Sequence, residues 1–378
     1  MKVTLKPIDE QVIVITGASS GIGLVTAKMA ARRGACVVLA ARNERDLARA
    51  VDEIRVAGGR AVHQVADVTD PEQVDAIADA ALREFGRIDS WVNNAGVAVY
   101  GRLMEVALED MRRQFDVLYW GHVHGSRVAV PHLRRRGGAL INVASALADR
   151  AIPLQGNYCA AKHAIKAFTD ALRMELEEEG APVSVTLVKP GSIDTPLFDK
   201  ARTYLRAEPQ PVPPVYAPEV VAEAILHCAQ HPTRDVIAGG MGKVLSVAND
   251  FPRLADKYME RKTFRSQQTD KPAGGRPDNL YEPVQYDGGE RGSNWTGRTK
   301  STSLYTSAAL HPERAAAAAA VGLGVVLAAV TGARRLAETG ESAPALDVRP
   351  TPSSPAGDAE RGDPTDLTVQ SPGALPMP

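Results

Sequence analysis

The sequence predicts an α/β protein: a doubly wound parallel sheet of about seven strands, followed by a C-terminal extension. Short apolar runs alternate with helical patterns through the first two-thirds of the 378 residues. The runs are rich in Val, Ile and Leu, which is typical of strands buried on both faces of a parallel sheet. The stretches between them are long enough for crossover helices. The expected strands are Val12–Thr16, Cys36–Ala40, Ala61–Val65, Ser90–Val92, Ala139–Val143, Val183–Val188 and Val236–Ala238.

Two helix starts support this alternation. Asp70 is a capping acid followed by Pro71 at the first helical position, and Gln73 stands three residues after the cap. Pro218-Glu219 begins another helix in the same way.

Composition excludes several classes of function. With 44 basic and 45 acidic residues, the formal net charge of −1 gives no indication of a nucleic-acid partner. The three cysteines are too far apart for a disulfide framework or a metal site, which favours a reducing compartment. His122 and His124 have no ligand partner at metal-binding spacing, so no metal is expected. The first sixteen residues lack the apolar stretch of a signal peptide, and we expect a cytoplasmic location.

The first strand leads directly into a glycine-rich loop of the pattern T-G-x-x-x-G-x-G. Gly17 permits a tight turn, Gly21 lets the backbone approach a pyrophosphate, and Gly23 lets the following helix pack closely on the strand. The helix start also offers free N–H groups and the positive end of its dipole to phosphates. The loop therefore predicts a dinucleotide site on a Rossmann-like fold.

The end of the second strand indicates which dinucleotide is bound. An acid at this place would bind the adenosine ribose 2′-hydroxyl and favour NAD(H), but Ala41 occupies the position. Arg42 follows, and a guanidinium can bind a 2′-phosphate through two hydrogen bonds. We therefore expect NADP(H) to be preferred over NAD(H).

Tyr158 and Lys162 stand four residues apart and share one face of a helix. An ordinary tyrosine has a pKa near 10 and is a poor base at neutral pH. A lysine ammonium beside it favours the phenolate and lowers that pKa. The phenol can then exchange a proton with a substrate oxygen while hydride moves to or from a nicotinamide.

These motifs, taken in order, resemble the short-chain dehydrogenase/reductase family. Asn93-Asn94-Ala95-Gly96 follows the fourth strand, Ser145 the fifth and Pro190–Thr195 the sixth. The resemblance covers about residues 8–245 and implies interconversion of an alcohol and a carbonyl, with Tyr158 as general acid and base. It further implies that Ser145 orients the substrate oxygen and that Lys162 holds the nicotinamide ribose. The implied cofactor-binding residues are Thr16, Gly17, Ser19, Ser20, Gly21, Ile22, Gly23, Arg42, Asp67, Val68, Asn94, Ala95, Gly96, Tyr158, Lys162, Pro190, Gly191, Ile193 and Thr195.

Three further expectations follow from the resemblance. The helices that carry Met111–Arg135 and Asn157–Glu179 resemble those that pair subunits, which implies a homodimer or homotetramer. Asp67 either contacts the adenine, as in the family, or is a plain turn residue. Pro196–Val215 is the expected substrate loop, with Phe198, Tyr204 and Leu205 suited to a hydrophobic small-molecule alcohol or ketone.

One position departs from the family. Leu118 stands where the family usually has an Asn that holds a water in a proton relay behind the lysine, and leucine has no polar group for this. His122 and Tyr119 are the candidate replacements. An alternative function is therefore an NADP(H)-binding sensor or scaffold with little turnover.

The resemblance does not cover the C-terminal third. We expect a dehydrogenase domain over residues 1–265 and a polar extension over residues 266–312, partly ordered because aromatic residues punctuate it. Ala315–Ala333 has no charge and is either a membrane span or an Ala-rich soluble helix; as a span it would anchor the protein to the cytoplasmic face of a membrane. Residues 334–378 contain eight prolines and no aromatic residue, and we expect them to be disordered.

Overall fold

The computed structural model describes residues 3–247 and 251–317, which belong to one compact unit. The strands are β1 Val12–Thr16, β2 Cys36–Ala41, β3 Arg60–Val65, β4 Ser90–Asn93, β5 Val99–Tyr100, β6 Gly138–Val143, β7 Val183–Pro190, β8 Ser192–Ile193, β9 Arg202–Thr203, β10 Ala207–Pro209, β11 Val215–Tyr216, β12 Asp235–Ala238, β13 Gln268–Pro272 and β14 Thr299–Lys300. The helices are α1 Gly21–Arg32, α2 Glu44–Val56, α3 Pro71–Phe85, α4 Leu108–Phe115, α5 Gly121–Arg136, α6 Gly156–Glu178, α7 Pro218–Cys228, α8 Gly240–Val247, α9 Pro252–Ser266 and α10 Leu304–Leu310.

Seven parallel strands form the central sheet in the order β12-β7-β6-β4-β1-β2-β3. The predicted doubly wound fold is confirmed, and all seven expected strands are present within two residues of their expected ends. The strand order reverses between β1 and β4, and ligands of such sheets bind at the carboxyl ends of the strands beside this reversal.

Both faces of the sheet are covered, as the lack of polar alternation predicted. Ile13 and Ile15 of β1 belong to one buried cluster, together with residues of α1 and α7. Val12 and Val14 belong to a second cluster on the opposite face, together with residues of α3 and α5. Every residue of β1 is therefore buried, because successive strand side chains point to opposite faces.

The two expected helix starts are also confirmed. Asp70 Oδ1 accepts hydrogen bonds from the N–H groups of Glu72 at 3.0 Å and Gln73 at 3.4 Å, and the Gln73 side chain donates back to Asp70 Oδ2 at 2.8 Å. Pro218 is the first residue of α7. Asp70 thus satisfies N–H groups that a helix cannot pair internally, whereas Pro218 has no N–H group to satisfy.

The extension packs against the central sheet rather than leaving it. Leu280 is fully buried in the β1–α3 side of the core, and Leu310 is buried in the β1–α1 side. β13 pairs with β10, and β14 pairs with β11. Two leucines and two short strands thus connect this polar segment to the dehydrogenase domain.

Within residues 3–247 and 251–317, no helix has the length and apolar character needed to cross a membrane. The segment expected to be either a span or a soluble helix, Ala315–Ala333, lies outside the described residues from position 318 onward, as does the tail 334–378.

Candidate active site

A cavity of about 300 Å³ lies at the carboxyl edge of the central sheet, beside the reversal of strand order. Residues that follow β1, β2, β3, β4, β6 and β7 all line it. It therefore occupies the place where doubly wound sheets bind their ligands. Of the expected site residues, the cavity lining includes Gly17, Ser19, Ser20, Gly21, Ile22, Arg42, Asp67, Val68, Asn94, Ala95, Gly96, Ser145, Tyr158, Lys162, Pro190, Gly191, Ile193 and Thr195.

Thr16 and Gly23 lie just behind this lining and shape the loop. Thr16 Oγ1 accepts hydrogen bonds from the N–H groups of Asn94 at 3.0 Å and Ala95 at 3.1 Å, which ties the turn after β4 to β1. A Cβ at Gly23 would lie 2.3 Å from the Gly17 carbonyl oxygen, and Gly17 itself has a φ of +68°. Only glycine fits these two positions, as the motif predicted.

The turn after β7 is held against the start of α1. The Gly191 N–H donates to the Ala238 carbonyl at 2.8 Å, and Asp194 N–H donates to the Tyr216 carbonyl at 2.9 Å. A Cβ at Gly21 would lie 3.1 Å from Thr195 Cβ. The structure thus brings the first and last cofactor motifs of the sequence together.

The three expected catalytic residues meet at the other end of the cavity. Ser145 follows β6, while Tyr158 and Lys162 lie in the first two turns of α6. The Ser145 side chain lies close enough to Tyr158 to lower the pKa of the phenol. Lys162 Nζ donates to the Val143 carbonyl at 2.9 Å and lies 5.6 Å from the centre of the Tyr158 ring.

Burial controls the protonation of this group. It raises the pKa of Tyr158 above the usual value, and the nearby Ser145 hydroxyl offsets this only in part. Burial also lowers the pKa of Lys162 to about 7. The direction for Tyr158 is opposite to the lowering expected from Lys162, because desolvation of the phenolate has the largest effect on this group.

Leu118 lies in a π-helical turn, Asp116–Trp120, that joins α4 to α5. Its side chain is fully buried and lines the cavity. His122 Nε2 lies 3.3 Å from the Val143 carbonyl oxygen, the same oxygen that accepts from Lys162. Of the two candidate replacements for the family's Asn, His122 is thus near the lysine, whereas Tyr119 packs on Phe115 and on other aromatic rings.

The cavity near Tyr158 is mostly apolar. Phe198 of the expected substrate loop lines it, but Tyr204 and Leu205 do not. Tyr204 instead donates a hydrogen bond to Asp110 Oδ2 at 2.7 Å, because its backbone pairs with the strand that contains Tyr100. The sequence reasoning missed α9, which adds further side chains. The apolar lining comprises Tyr100, Leu147, Ile152, Leu197, Phe198, Val212, Pro213, Tyr258 and Met259.

At the adenosine end, residues of the extension contact the expected cofactor residues. Arg42 donates to the backbone carbonyls of Tyr281, at 2.7 Å, and Asn279. Gly21 N–H donates to the Gly289 carbonyl at 2.8 Å, and Ser19 Oγ donates to the Asp287 carboxylate.

Asp67 accepts a hydrogen bond within a turn and also forms an ion pair with Arg113. Its Oδ1 accepts from the Thr69 N–H at 3.0 Å, and its Oδ2 pairs with Arg113 at 2.5 Å. Burial would raise the pKa of Asp67, but the hydrogen bonds from Thr69 and Arg113 outweigh it, so the pKa lies below the usual value.

The sequence reasoning also missed Lys200, Asp287 and Arg113 in this region. No motif marks them, since each reaches the site from a different part of the chain. Lys200 is one of five charged residues inside the expected substrate loop, so its charge alone did not distinguish it.

These features fit a nicotinamide dinucleotide. The glycine positions leave room for close backbone approach, and one continuous cavity connects the loop after β1 to Tyr158. At the nicotinamide end, Ser145, Tyr158 and Lys162 all line the cavity. At the adenosine end the extension contributes part of the wall.

Known proteins share this arrangement. A family model described as short chain dehydrogenase matches residues 11–205. The uncharacterized oxidoreductase YxnA of Bacillus subtilis is 48% identical over 327 residues, covering 84% of this chain and 90% of that protein. That coverage exceeds the share of the chain before residue 266, so this relative also matches part of the extension. The 11-beta-hydroxysteroid dehydrogenase A of Sesamum indicum is 40% identical over 50% of this chain and 53% of its own length.

Two solved structures are similar. A short chain dehydrogenase/reductase from Burkholderia phymatum in complex with NAD is 30% identical, with a TM-score of 0.58, over 70% of this chain and 99% of that one. An alcohol dehydrogenase from Thermococcus sibiricus complexed with 5-hydroxy-NADP is 27% identical, with a TM-score of 0.53, over 60% of this chain and 95% of that one. Fold, site and similarity agree: the chain belongs to the short-chain dehydrogenase family of oxidoreductases.

Proposed function

We propose that this protein interconverts an alcohol and a carbonyl by hydride transfer, with Tyr158 as general acid and base and with NADP(H) as the preferred cofactor. The observation that carries the proposal is the site at which Ser145, Tyr158 and Lys162 meet. It lies at the apolar end of the same cavity that the glycine loop lines.

The cofactor, when bound, supplies or accepts the hydride. Ser145 Oγ holds the substrate oxygen, and Tyr158 Oη gives its proton to that oxygen in the reductive direction. The carbonyl carbon gains a C–H bond and its oxygen an O–H bond; oxidation reverses both changes. Because burial keeps Tyr158 protonated, the free protein is prepared for the reductive direction.

Arg42 supports the cofactor preference. It lies at the end of β2, where Ala41 leaves no acid for a ribose hydroxyl. Its side chain lines the cavity, donates to two backbone carbonyls of the extension and lies 3.8 Å from Asp67 Oδ2. A guanidinium in this position can bind a 2′-phosphate.

The apolar lining supports a hydrophobic small-molecule substrate. Phe198 and Met259 come from the loop after β8 and from α9, so two separate elements enclose the space beside Tyr158. A charged substrate would lose hydration there without gaining an ion pair.

One observation favours a second function, an NADP(H)-binding sensor or scaffold. Leu118 is apolar and fully buried at the place where the family's proton relay has an Asn. A slow or absent relay would leave binding without efficient turnover.

A panel of hydrophobic aldehydes, ketones and alcohols, assayed with NADPH and NADH on the full chain, tests the proposal. We expect turnover with at least one compound and a higher kcat/KM with NADPH. Cofactor binding without hydride transfer across the panel would favour the sensor. Equal kcat/KM with both cofactors would refute the preference.

We further propose a homodimer or homotetramer that pairs through the helices containing Met111–Arg135 and Asn157–Glu179. Trp120, 46% exposed, and Met174, 60% exposed, supply apolar surface on these helices. A monomer by light scattering at micromolar concentration would refute this assembly.

The membrane hypothesis for Ala315–Ala333, and with it the cytoplasmic location, stays a prediction. Cell fractionation of the full chain and of a chain that ends at Glu313 tests it. Anchoring predicts that only the full chain sediments with membranes; both chains in the soluble fraction would refute it.

A further inference from the structure

The extension places an acidic residue inside the cofactor cavity, at the end opposite Tyr158. Asp287 lines the cavity and is 6% exposed. One carboxylate oxygen accepts from Ser19 Oγ in the glycine loop. The other accepts from Lys200 Nζ at 3.0 Å. The carboxylate is thus held between two elements of the dehydrogenase domain.

The backbone around Asp287 is also fixed. Its N–H donates to Asp46 Oδ2 of α2 at 2.6 Å. Asn43, which caps α2, donates from its side chain to the Val284 carbonyl at 2.8 Å. Two residues beyond Asp287, the Gly289 carbonyl accepts from Gly21 N–H. Contacts on both sides therefore hold this carboxylate over the glycine loop.

Arg42 and Asp287 act on the same space with opposite charge. Both line the cavity, and Asn279 and Tyr281, which lie in the same segment as Asp287, accept hydrogen bonds from Arg42. Among the carboxylates that oppose the lowering of the Arg42 pKa by burial are Asp67, which lies 3.8 Å from the guanidinium and has the larger effect, and Asp287. A 2′-phosphate beside Arg42 would therefore meet a buried carboxylate. A ribose 2′-hydroxyl, by contrast, can donate a hydrogen bond to a carboxylate, as it does to the acid at the end of β2 in NAD-binding folds.

We infer that Asp287 is a specificity-determining residue for the cofactor: it weakens binding of the 2′-phosphate and limits the preference that Arg42 creates. The inference rests on the proposed function for the identity of the cofactor. Lys200 completes the arrangement, because its ammonium pairs with Asp287 and donates to Ser20 Oγ at 3.0 Å. Removal of the carboxylate charge would release Lys200 to a phosphate.

Mononucleotide binding tests this without any turnover. Calorimetric titration of the full chain with adenosine 2′,5′-bisphosphate and with 5′-AMP gives a Kd ratio that reports on the 2′-phosphate alone. We expect Asp287→Asn to shift this ratio toward the bisphosphate by about tenfold, since one opposing charge is removed from the cavity wall. Asp287→Ser repeats the removal of charge if the Asn variant unfolds in a thermal melt.

Two controls separate charge from other effects. Glu290→Gln removes an acid from the same segment, one that pairs with Lys28 and is absent from the cavity lining, so we expect an unchanged ratio. Asp287→Glu keeps the charge, so its Kd ratio should stay close to that of the parent.

An unchanged ratio in folded Asp287→Asn or Asp287→Ser would overturn the inference. An equal shift in Glu290→Gln would also overturn it, because it would indicate a general charge effect. An equal shift in Asp287→Glu would overturn it as well, because it would indicate displacement of the segment. Failure of the proposed function has a different signature. It would appear as no hydride transfer, or as no preference in the parent, while the shift caused by Asp287→Asn would still be measurable.

Discussion

The two ends of the cavity are built in different ways. At the nicotinamide end, Ser145, Tyr158 and Lys162 lie within eighteen residues of one another and contact each other or a carbonyl of β6. At the adenosine end, Ser19 and Arg42 contact residues more than 230 positions away. The residues proposed for catalysis thus come from one short stretch of chain, whereas the residues around the adenosine end come from segments far apart in the sequence. Variants at each end therefore test this difference separately.

The largest effect is expected at the nicotinamide end. Tyr158→Phe removes the proposed proton donor while leaving the ring, so turnover should fall at least about a hundredfold. Cofactor Kd, measured by fluorescence titration, should stay close to the parent. Tyr119→Phe is the matched control, because this ring packs on Phe115 and does not line the cavity. Near-normal turnover of Tyr158→Phe would require another acid.

The next effect concerns the attachment of the extension. Leu280 is fully buried, and Leu280→Ala should lower the free energy of unfolding by about 2–5 kcal/mol through lost burial and a residual cavity. Leu304, 88% exposed in the same extension, is the control, and its Ala variant should change little. Equal losses in urea denaturation would mean that the extension is not part of the folded core.

A smaller effect is expected at Arg42. Arg42→Ala should weaken NADPH binding by about 1–3 kcal/mol and leave NADH binding nearly unchanged, because a charge-assisted contact is lost only for the 2′-phosphate. Arg45→Ala, an exposed position in the first turn of α2, controls for net charge. Parallel losses for both cofactors would show that Arg42 acts through the extension alone.

The smallest effect, taken per pH unit, is on the pH dependence of stability near Lys162. Burial lowers the pKa of His122 to about 3, from an ordinary 6.5. Between these values the unfolded chain binds more protons, so the free energy of unfolding decreases as the pH falls, by about 1.4 kcal/mol per unit. His122→Asn lacks this contribution. The parent's advantage in free energy of unfolding over the variant should therefore decrease with that slope as the pH falls from about 6 to about 4. A difference that does not change with pH would contradict burial of a neutral imidazole.

The fold was predictable because its signals are local. The apolar run Val12–Thr16 predicts a buried strand, and Asp70 predicts a helix start, from residues that are close together in the sequence. The packing of the extension on the core could not be predicted in this way. Only Leu280 and Leu310 among its leucines are buried, and two positions are too few to show the periodicity of a helix or strand.

By itself, the sequence determined the α/β fold and the glycine loop, because backbone sterics and apolar runs define these within short stretches. Helix spacing paired Tyr158 with Lys162, and the family resemblance added Ser145. Only the tertiary structure decided the protonation of Tyr158 and the wall of the adenosine end. The pKa of Tyr158 depends on how completely the phenol is removed from water, and burial is the largest cause of its rise. The partnership of Ser19 with Asp287 depends on chain segments separated by 268 residues, which meet only when the whole extension packs onto the sheet.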